Sequence, residues 1–315
     1  MSRKKKNSTV QIVHWDKEYR APFDRTVLAI GNFDGVHRGH TIILERVVER
    51  AKQEDATPAI LTFHPHPRKM FTGEEPPLIT GFDEKMRLIG DRGVSVAFVV
   101  GEDRAFYRMS PREFSRKVLH ESLKVTHLFV GYDFSFGKNR SGDYEELVAQ
   151  GEKLGFGVER VEAVEVDGTP VSSTEIRRLI GDGAVDRAAG LLGREYVMTG
   201  EVVEGVERGR KLGFPTANVD FTTRLVPADG VYAVRVIRGG VEYPAVANLG
   251  NNPTFSDGAF NLEVYILDFT EDIYGEVIEV SFVRRIRGER AFSGPEELID
   301  RIERDVKEAR EILGA

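Results

Sequence analysis

Two histidines three residues apart, His37 and His40, sit in a glycine-spaced run, Gly31-Asn32-Phe33-Asp34-Gly35-Val36-His37-Arg38-Gly39-His40. On the opening turn of a helix, side chains at this spacing face the same ligand. The unpaired amides and the dipole of a helix N-terminus favour an anion there. Gly31, Gly35 and Gly39 allow the backbone to come close to a phosphate. The run lacks the Lys followed by Ser or Thr that a Walker loop needs. Two imidazoles without a third ligand make a weak metal site. The chemistry these residues suit is the holding of a phosphate.

A second run, from Gly205 to Asn218, uses other means for a similar ligand. Gly209 and Gly213 flank Arg210 and Lys211, and a glycine loop with basic side chains can cover phosphates. Thr216 and Asn218 lie two apart in an extended segment and so share a side. A hydroxyl and an amide oxygen on one face suit Mg²⁺ with its phosphate-bound water. Further on, Glu263 alternates with Leu262 and Val264 and so points to the opposite face from them. Tyr265 shares the side of Glu263. In isolation, a Glu inside a strand reads as part of a solvated face.

These residues need elements to hold them. Thr26–Ile30 is a nearly all-apolar run, as for a strand buried on both faces, and it ends where the histidine run begins. Ile43, Val47 and Ala51 then form one helical stripe. Further strands are predicted at Ala59–Phe63, Val94–Val100 and Leu128–Val130, with helices at Asp83–Ile89 and Tyr144–Leu154. Ser110, Pro111 and Glu113 stand as N-cap, N1 and N3 of another helix. Alternation of this kind predicts a parallel sheet with helices on both faces and a ligand at the carboxyl ends of the strands.

From about Glu195 the pattern changes to successive strands: Tyr196–Val203, Gly230–Ile237, Tyr243–Asn248, Leu262–Leu267 and Val277–Arg284. Gly239-Gly240 suits a two-residue hairpin. A small antiparallel barrel is predicted, closed by a helix after Ser293. Pro295 and Glu296 open that helix, and Leu298, Ile302, Val306 and Ala309 give it one apolar face. The change of pattern between Asp182 and Glu195 sets two domains, 1–185 and 186–315.

The 315 residues are enough for two cores. A net charge of −7 disfavours general nucleic-acid binding, so phosphate chemistry must rest on local sites. The absence of Cys excludes disulfides, thiolate catalysis and Cys-based metal centres, and fits the cytoplasm. The Lys-rich start is followed by Val10–Arg20, which is too polar for the core of a signal peptide. No stretch approaches a membrane span.

The string from Gly31 to His40 resembles the HxGH element of nucleotidyltransferases, and at its full length the FMN adenylyltransferase branch. Thr62-Phe-His-Pro-His-Pro67, Gly131-Tyr-Asp-Phe-Ser-Phe-Gly137 and Val171-Ser-Ser-Thr-Glu-Ile-Arg177 resemble further elements of that branch. The string from Gly209 to Asn218, with its PTAN element, and the segments Asn248–Phe255 and Leu262–Asp268 resemble riboflavin kinases. Together they cover the chain from about Thr26 to Arg310, in the order of bacterial bifunctional FAD synthetases. The resemblance implies an α/β nucleotidyltransferase domain with a Rossmann-like parallel sheet, then a β-barrel riboflavin kinase domain with a C-terminal helix.

The reactions so implied are phosphorylation of riboflavin to FMN and adenylylation of FMN to FAD. Both use ATP and Mg²⁺, without nucleic acid, membrane or obligate protein partner. The resemblance makes Glu263, His37, His40 and Arg177 catalytic. Gly31, Asn32, Phe33, Asp34, Gly39, Ser173 and Thr174, and in the barrel Gly209, Arg210, Lys211 and Gly213, would bind ATP and its phosphates. Phe63, Pro65, Asp133 and Asn248 would bind flavin, and Thr216 and Asn218 the metal. The chain departs from the family pattern at Ser135, where Arg is frequent, and at Tyr265, where His is frequent. The alternatives to test are an enzyme with only one of the two activities, its N-terminal half a nucleotidyltransferase for another small phosphate ester or catalytically silent, and a flavin-binding or regulatory module without turnover.

Overall fold

The computed structural model describes residues 9–205, 213–223, 225–251 and 260–315. The Lys-rich start, Gly209, Arg210, Lys211 and residues 252–255 of the Asn248–Phe255 segment lie outside these residues. The chain divides into two compact units, 1–172 and 173–315.

The first unit is built on a six-stranded parallel sheet in the order β1-β4-β3-β2-β5-β6. Its strands are β1 (Gln11–Trp15), β2 (Thr26–Ile30), β3 (Thr57–Phe63), β4 (Val96–Val100), β5 (Val125–Gly131) and β6 (Gly157–Val161). All five residues of β2 and of β4 are buried. Successive side chains go to opposite faces. Leu28, Leu61, Phe98 and Leu128 therefore join one core, and Val27, Ile60, Ala97 and Phe129 the other. The helices are α1 (Arg38–Glu54), α2 (Pro67–Thr72), α3 (Phe82–Gly90), α4 (Arg104–Tyr107), α5 (Pro111–Glu113) and α6 (Tyr144–Leu154).

The expected stripe of α1, Ile43, Val47 and Ala51, lies in the second core with Met86 and Ile89 of α3. Ser110 caps α5 reciprocally with Glu113, as the spacing predicts. The chain then continues as nine residues of π-helix, Phe114–Ser122. Strands β3 and β4 run to one side of β2, while β5 and β6 run to the other. The strand order thus reverses between β2 and β5, and the loops at their carboxyl ends flank the crevice where such sheets take ligands. After β6 comes a small hairpin, β7 (Glu165–Val166) and β8 (Thr169–Pro170).

The second unit opens with α7 (Ser173–Gly181) and α8 (Val185–Leu192). A closed antiparallel barrel follows in the order β10-β13-β12-β11-β14-β9. Its strands are β9 (Tyr196–Val203), β10 (Ala217–Phe221), β11 (Gly230–Arg238), β12 (Val241–Asn251), β13 (Phe260–Ile266) and β14 (Val277–Arg287). Gly239 and Gly240 join β11 to β12 with φ of +56° and +82°, as a two-residue turn of this twist requires. The closing helix, α9 (Pro295–Leu313), packs Val306 and Ala309 against Val231, Val246 and Tyr265. One buried carboxylate interrupts its apolar face. Asp305, 2% exposed, takes Arg287 of β14 at 2.9 Å and Arg301 at 2.8 Å. Those two cations compensate a charge that would otherwise be costly to bury.

Candidate active sites

The loop from β2 to α1 is under backbone strain. Phe33, Gly35 and Val36 take φ of +52°, +82° and +39°. Positive φ in non-glycine residues persists only when surroundings enforce it. Asp34 supplies that enforcement. It is 3% exposed, and its carboxylate accepts from the amides of Ile79 and Thr80 at 3.0 and 3.1 Å. Thr80 Oγ1 accepts in turn from the Gly35 amide at 3.1 Å. Asp34 therefore braces the loop from beneath.

His37 caps α1. Its Nδ1 accepts from the His40 amide at 3.2 Å, which leaves the ring proton on Nε2. The two imidazoles stack with centroids 3.6 Å apart, and Phe33 meets the His40 ring edge-on at 5.1 Å. A Cβ on Gly39 would stand 3.3 Å from the His37 ring, so glycine there gives the imidazole its room. Burial, then His37, then Lys85 hold His40 well below the usual histidine range. His40 Nδ1 is buried and meets no hydrogen-bond partner among the described residues. A buried polar nitrogen without a partner, at a helix N-terminus, is a place for a ligand atom.

The flavin-side expectations fall on the loop after β3. Phe63 lies against Phe106 and Tyr107, each with a centroid separation of 6.2 Å. Pro65 follows a cis peptide bond. His66 Nε2 lies 3.2 Å from the Asn32 carboxamide, so the β3 loop touches the β2 loop. Asp133 stands exposed in the loop after β5. In that same loop Ser135 Oγ accepts from Arg140 Nε at 2.6 Å. A guanidinium therefore lies beside the Ser135 hydroxyl.

Sequence reasoning missed Lys85, Arg140 and the clasp of Asp34 on residues 79–80. Nothing in the helical pattern of Phe82–Gly90 marks Lys85 as buried. Ser173, Thr174 and Arg177 occupy the first turns of α7 in the second unit. Arg178, next to Arg177, binds Glu175 and Asp182, both at 2.6 Å.

In the barrel, Glu263 pairs in register with Asn218 of β10 on one side and Asn248 of β12 on the other. Three polar side chains thus form a row across three strands. Leu262 and Val264 are fully buried, so the row lies on the opposite face, as the alternation predicts. Asn261, two residues before Glu263, donates to the Glu263 carboxylate at 3.0 Å and to Asn218 Oδ1 at 3.4 Å. The two-residue period that places Tyr265 beside Glu263 also pointed to Asn261, which was overlooked. Tyr265 meets Phe214 edge-to-face at 5.6 Å. Gly205 lies against the Asn218 amide, too close for a Cβ. Thr216 immediately precedes β10, and Gly213 lies earlier in the same connection, before Phe214 and Pro215.

The chain is thus of a two-unit class, a Rossmann-like parallel-sheet unit with paired imidazoles at a helix N-terminus and a closed β-barrel that presents a carboxylate between two carboxamides. Family models for FAD synthetase and riboflavin kinase match residues 20–175 and 192–313. The chain belongs to the bifunctional riboflavin kinase/FMN adenylyltransferase family. The Pseudomonas fluorescens member is 39% identical over 302 residues, 96% of this chain and 97% of that protein. The Bacillus subtilis (strain 168) member is 35% identical over 307 residues, 96% of each. A solved structure described as a macrolide-efflux protein from Streptococcus pneumoniae is 31% identical, with a TM-score of 0.88 over 96% of this chain and 99% of that one. Among the described residues of this chain, no helix is long and apolar enough to cross a membrane.

Proposed function

We propose that the two activities of the family divide between the two halves, with adenylyl transfer in residues 1–185 and riboflavin phosphorylation in residues 186–315. The matched family models fall inside these limits. In the first reaction a phosphate oxygen of FMN attacks the α-phosphorus of ATP. The α–β bridging bond breaks, and pyrophosphate leaves with its electron pair. The nucleophile is already ionised, so the site has to position and stabilise charge rather than remove a proton. His37 offers Nε2–H, His40 offers its unpartnered ring, and the amides of α1 face the phosphates. Gly31, Asn32, Phe33 and Gly39 shape that cradle. The family resemblance gives Arg177, Ser173 and Thr174 nucleotide roles as well, while Phe63, Pro65 and Asp133 take the flavin.

In the second reaction the ribityl 5′-hydroxyl attacks the γ-phosphorus of ATP, and ADP leaves. A hydroxyl needs a base, and Glu263 accepts its proton. Asn261 fixes the orientation of that carboxylate. Asn248 stands beside it on the flavin side, and Gly209, Arg210, Lys211 and Gly213 cover the phosphates. The metal fits the barrel's donor set: Thr216 and Asn218 offer neutral oxygens, which suit a hard cation that keeps most of its ligands from water and phosphate. When bound, Mg²⁺ neutralises phosphate charge. The substrates, riboflavin and ATP, point to the cytoplasm, and the reading needs no nucleic acid, membrane or further protein.

The observation that carries the reading is the register row of Asn218, Glu263 and Asn248, because a binding module has no use for a braced carboxylate there. The test is chromatographic product analysis of the intact protein supplied with riboflavin, ATP and Mg²⁺. FMN followed by FAD is expected. FMN alone would remove the adenylyl transfer, and neither product would remove both.

A further inference from the structure

Lys85 is 7% exposed, on the first turns of α3, and its ammonium has three acceptors. It donates to Asn32 O at 3.3 Å, to Thr62 Oγ1 at 3.4 Å and to Phe63 O at 3.2 Å. Thr62 Oγ1 itself donates to Asn32 O at 3.2 Å. Asn32 lies in the phosphate loop after β2, while Thr62 and Phe63 lie at the end of β3, where the proposed flavin loop begins. Between these neighbouring strands the last ladder bond near the site is Gly31 N–H to Leu61 O at 3.1 Å. Past that point the two backbones diverge, and their carbonyls turn toward the amine.

We propose that Lys85 is a positioning residue for adenylyl transfer, a buried tie that fixes the phosphate loop relative to the flavin loop and so sets the reach between FMN and the α-phosphate. This rests on the reading of the first site given above. An ammonium has three N–H groups. All three are engaged by the protein, so Lys85 has none to give to a substrate and acts through the two loops. Burial lowers its pKa to about 8, while the carboxylates of Asp34 and Glu75 oppose that shift. An amine that loses charge stability on folding opposes folding at neutral pH, so packing alone gives no reason to keep it. Reaction rates depend steeply on the placement of the reacting atoms, and a misplacement near 1 Å costs about 10²-fold.

The test uses the full-length protein and steady-state adenylyl transfer with FMN, ATP and Mg²⁺. For Lys85→Met, kcat is expected to fall about 10²-fold, while either KM changes less than about fivefold, because each loop keeps its own contacts. Lys85→Gln retains two donors and is expected to recover about tenfold of that loss. Riboflavin phosphorylation by the same samples should be unchanged, and the thermal midpoint should not fall. A Lys85→Met kcat within threefold of the parent would overturn the proposal. So would a defect confined to one KM, or unfolding of both variants, which would make the residue purely structural. His40→Ala separates the layers: full adenylyl transfer in that variant removes the site itself, whereas a dead His40→Ala beside a normal Lys85→Met removes the tie alone.

Discussion

The two sites solve different chemical problems with different parts of the chain. In the proposed reading of the sheet unit, the imidazoles aimed at the phosphate come from one loop and one helix N-terminus, and buried polar residues brace that loop. In the barrel, side chains from three strands meet in one row, and a carboxylate is the central group. The contrast follows from the nucleophiles. An ionised phosphate needs geometry and charge stabilisation, which a strained loop held by Asp34 is suited to supply. A hydroxyl needs a proton acceptor as well, and strand register is a rigid way to hold one.

The largest expected effect is on the proton acceptor. Glu263→Gln should lower riboflavin kinase kcat by about 10³-fold and leave riboflavin affinity nearly unchanged. Stopped assays with FMN in place of riboflavin should show normal FAD synthesis by the same variant. A fall in affinity without a fall in rate would make the carboxylate a binding group and erase the contrast.

His40→Ala should lower adenylyl transfer by about 10²-fold, the scale of one lost charge-stabilising donor. Pyrophosphate release in the presence of FMN measures it. If the rate instead showed a new dependence on an added base, the first site would share the chemistry of the second. Asn261→Ala should cost about tenfold in kinase kcat, the range for a hydrogen bond to a charged group, with little change in KM for ATP. An unchanged kcat would mean that the strand alone orients Glu263.

Much of this was legible in the residues. Thr26–Ile30 and Val96–Val100 announce themselves because both faces of a central strand are apolar. Gln11–Trp15 and Gly157–Val161 form the two edges of the sheet, and their mixed exposure hides them. The nine π-helical residues from Phe114 follow a pattern that does not separate wide turns from ordinary ones. Motif residues such as His37 and Glu263 stood out by spacing. Lys85 did not, since a lysine among helical polar residues reads as solvated until the strands it ties are seen together. Asp305 was hidden for the same reason, inside a helix face judged by Leu298, Ile302, Val306 and Ala309.

The division of labour is tested most directly by labelled phosphate. Intact protein receives riboflavin, Mg²⁺ and ATP that carries label in either the α- or the γ-phosphate, and FMN and FAD are then separated and counted. The γ-label should enter FMN and persist in FAD, whereas the α-label should enter FAD alone. In His40→Ala the α-label should fall away, while the γ-label summed over FMN and FAD stays at the parent level and is held almost wholly as FMN. Loss of both labels together, or of neither, would contradict two independent sites.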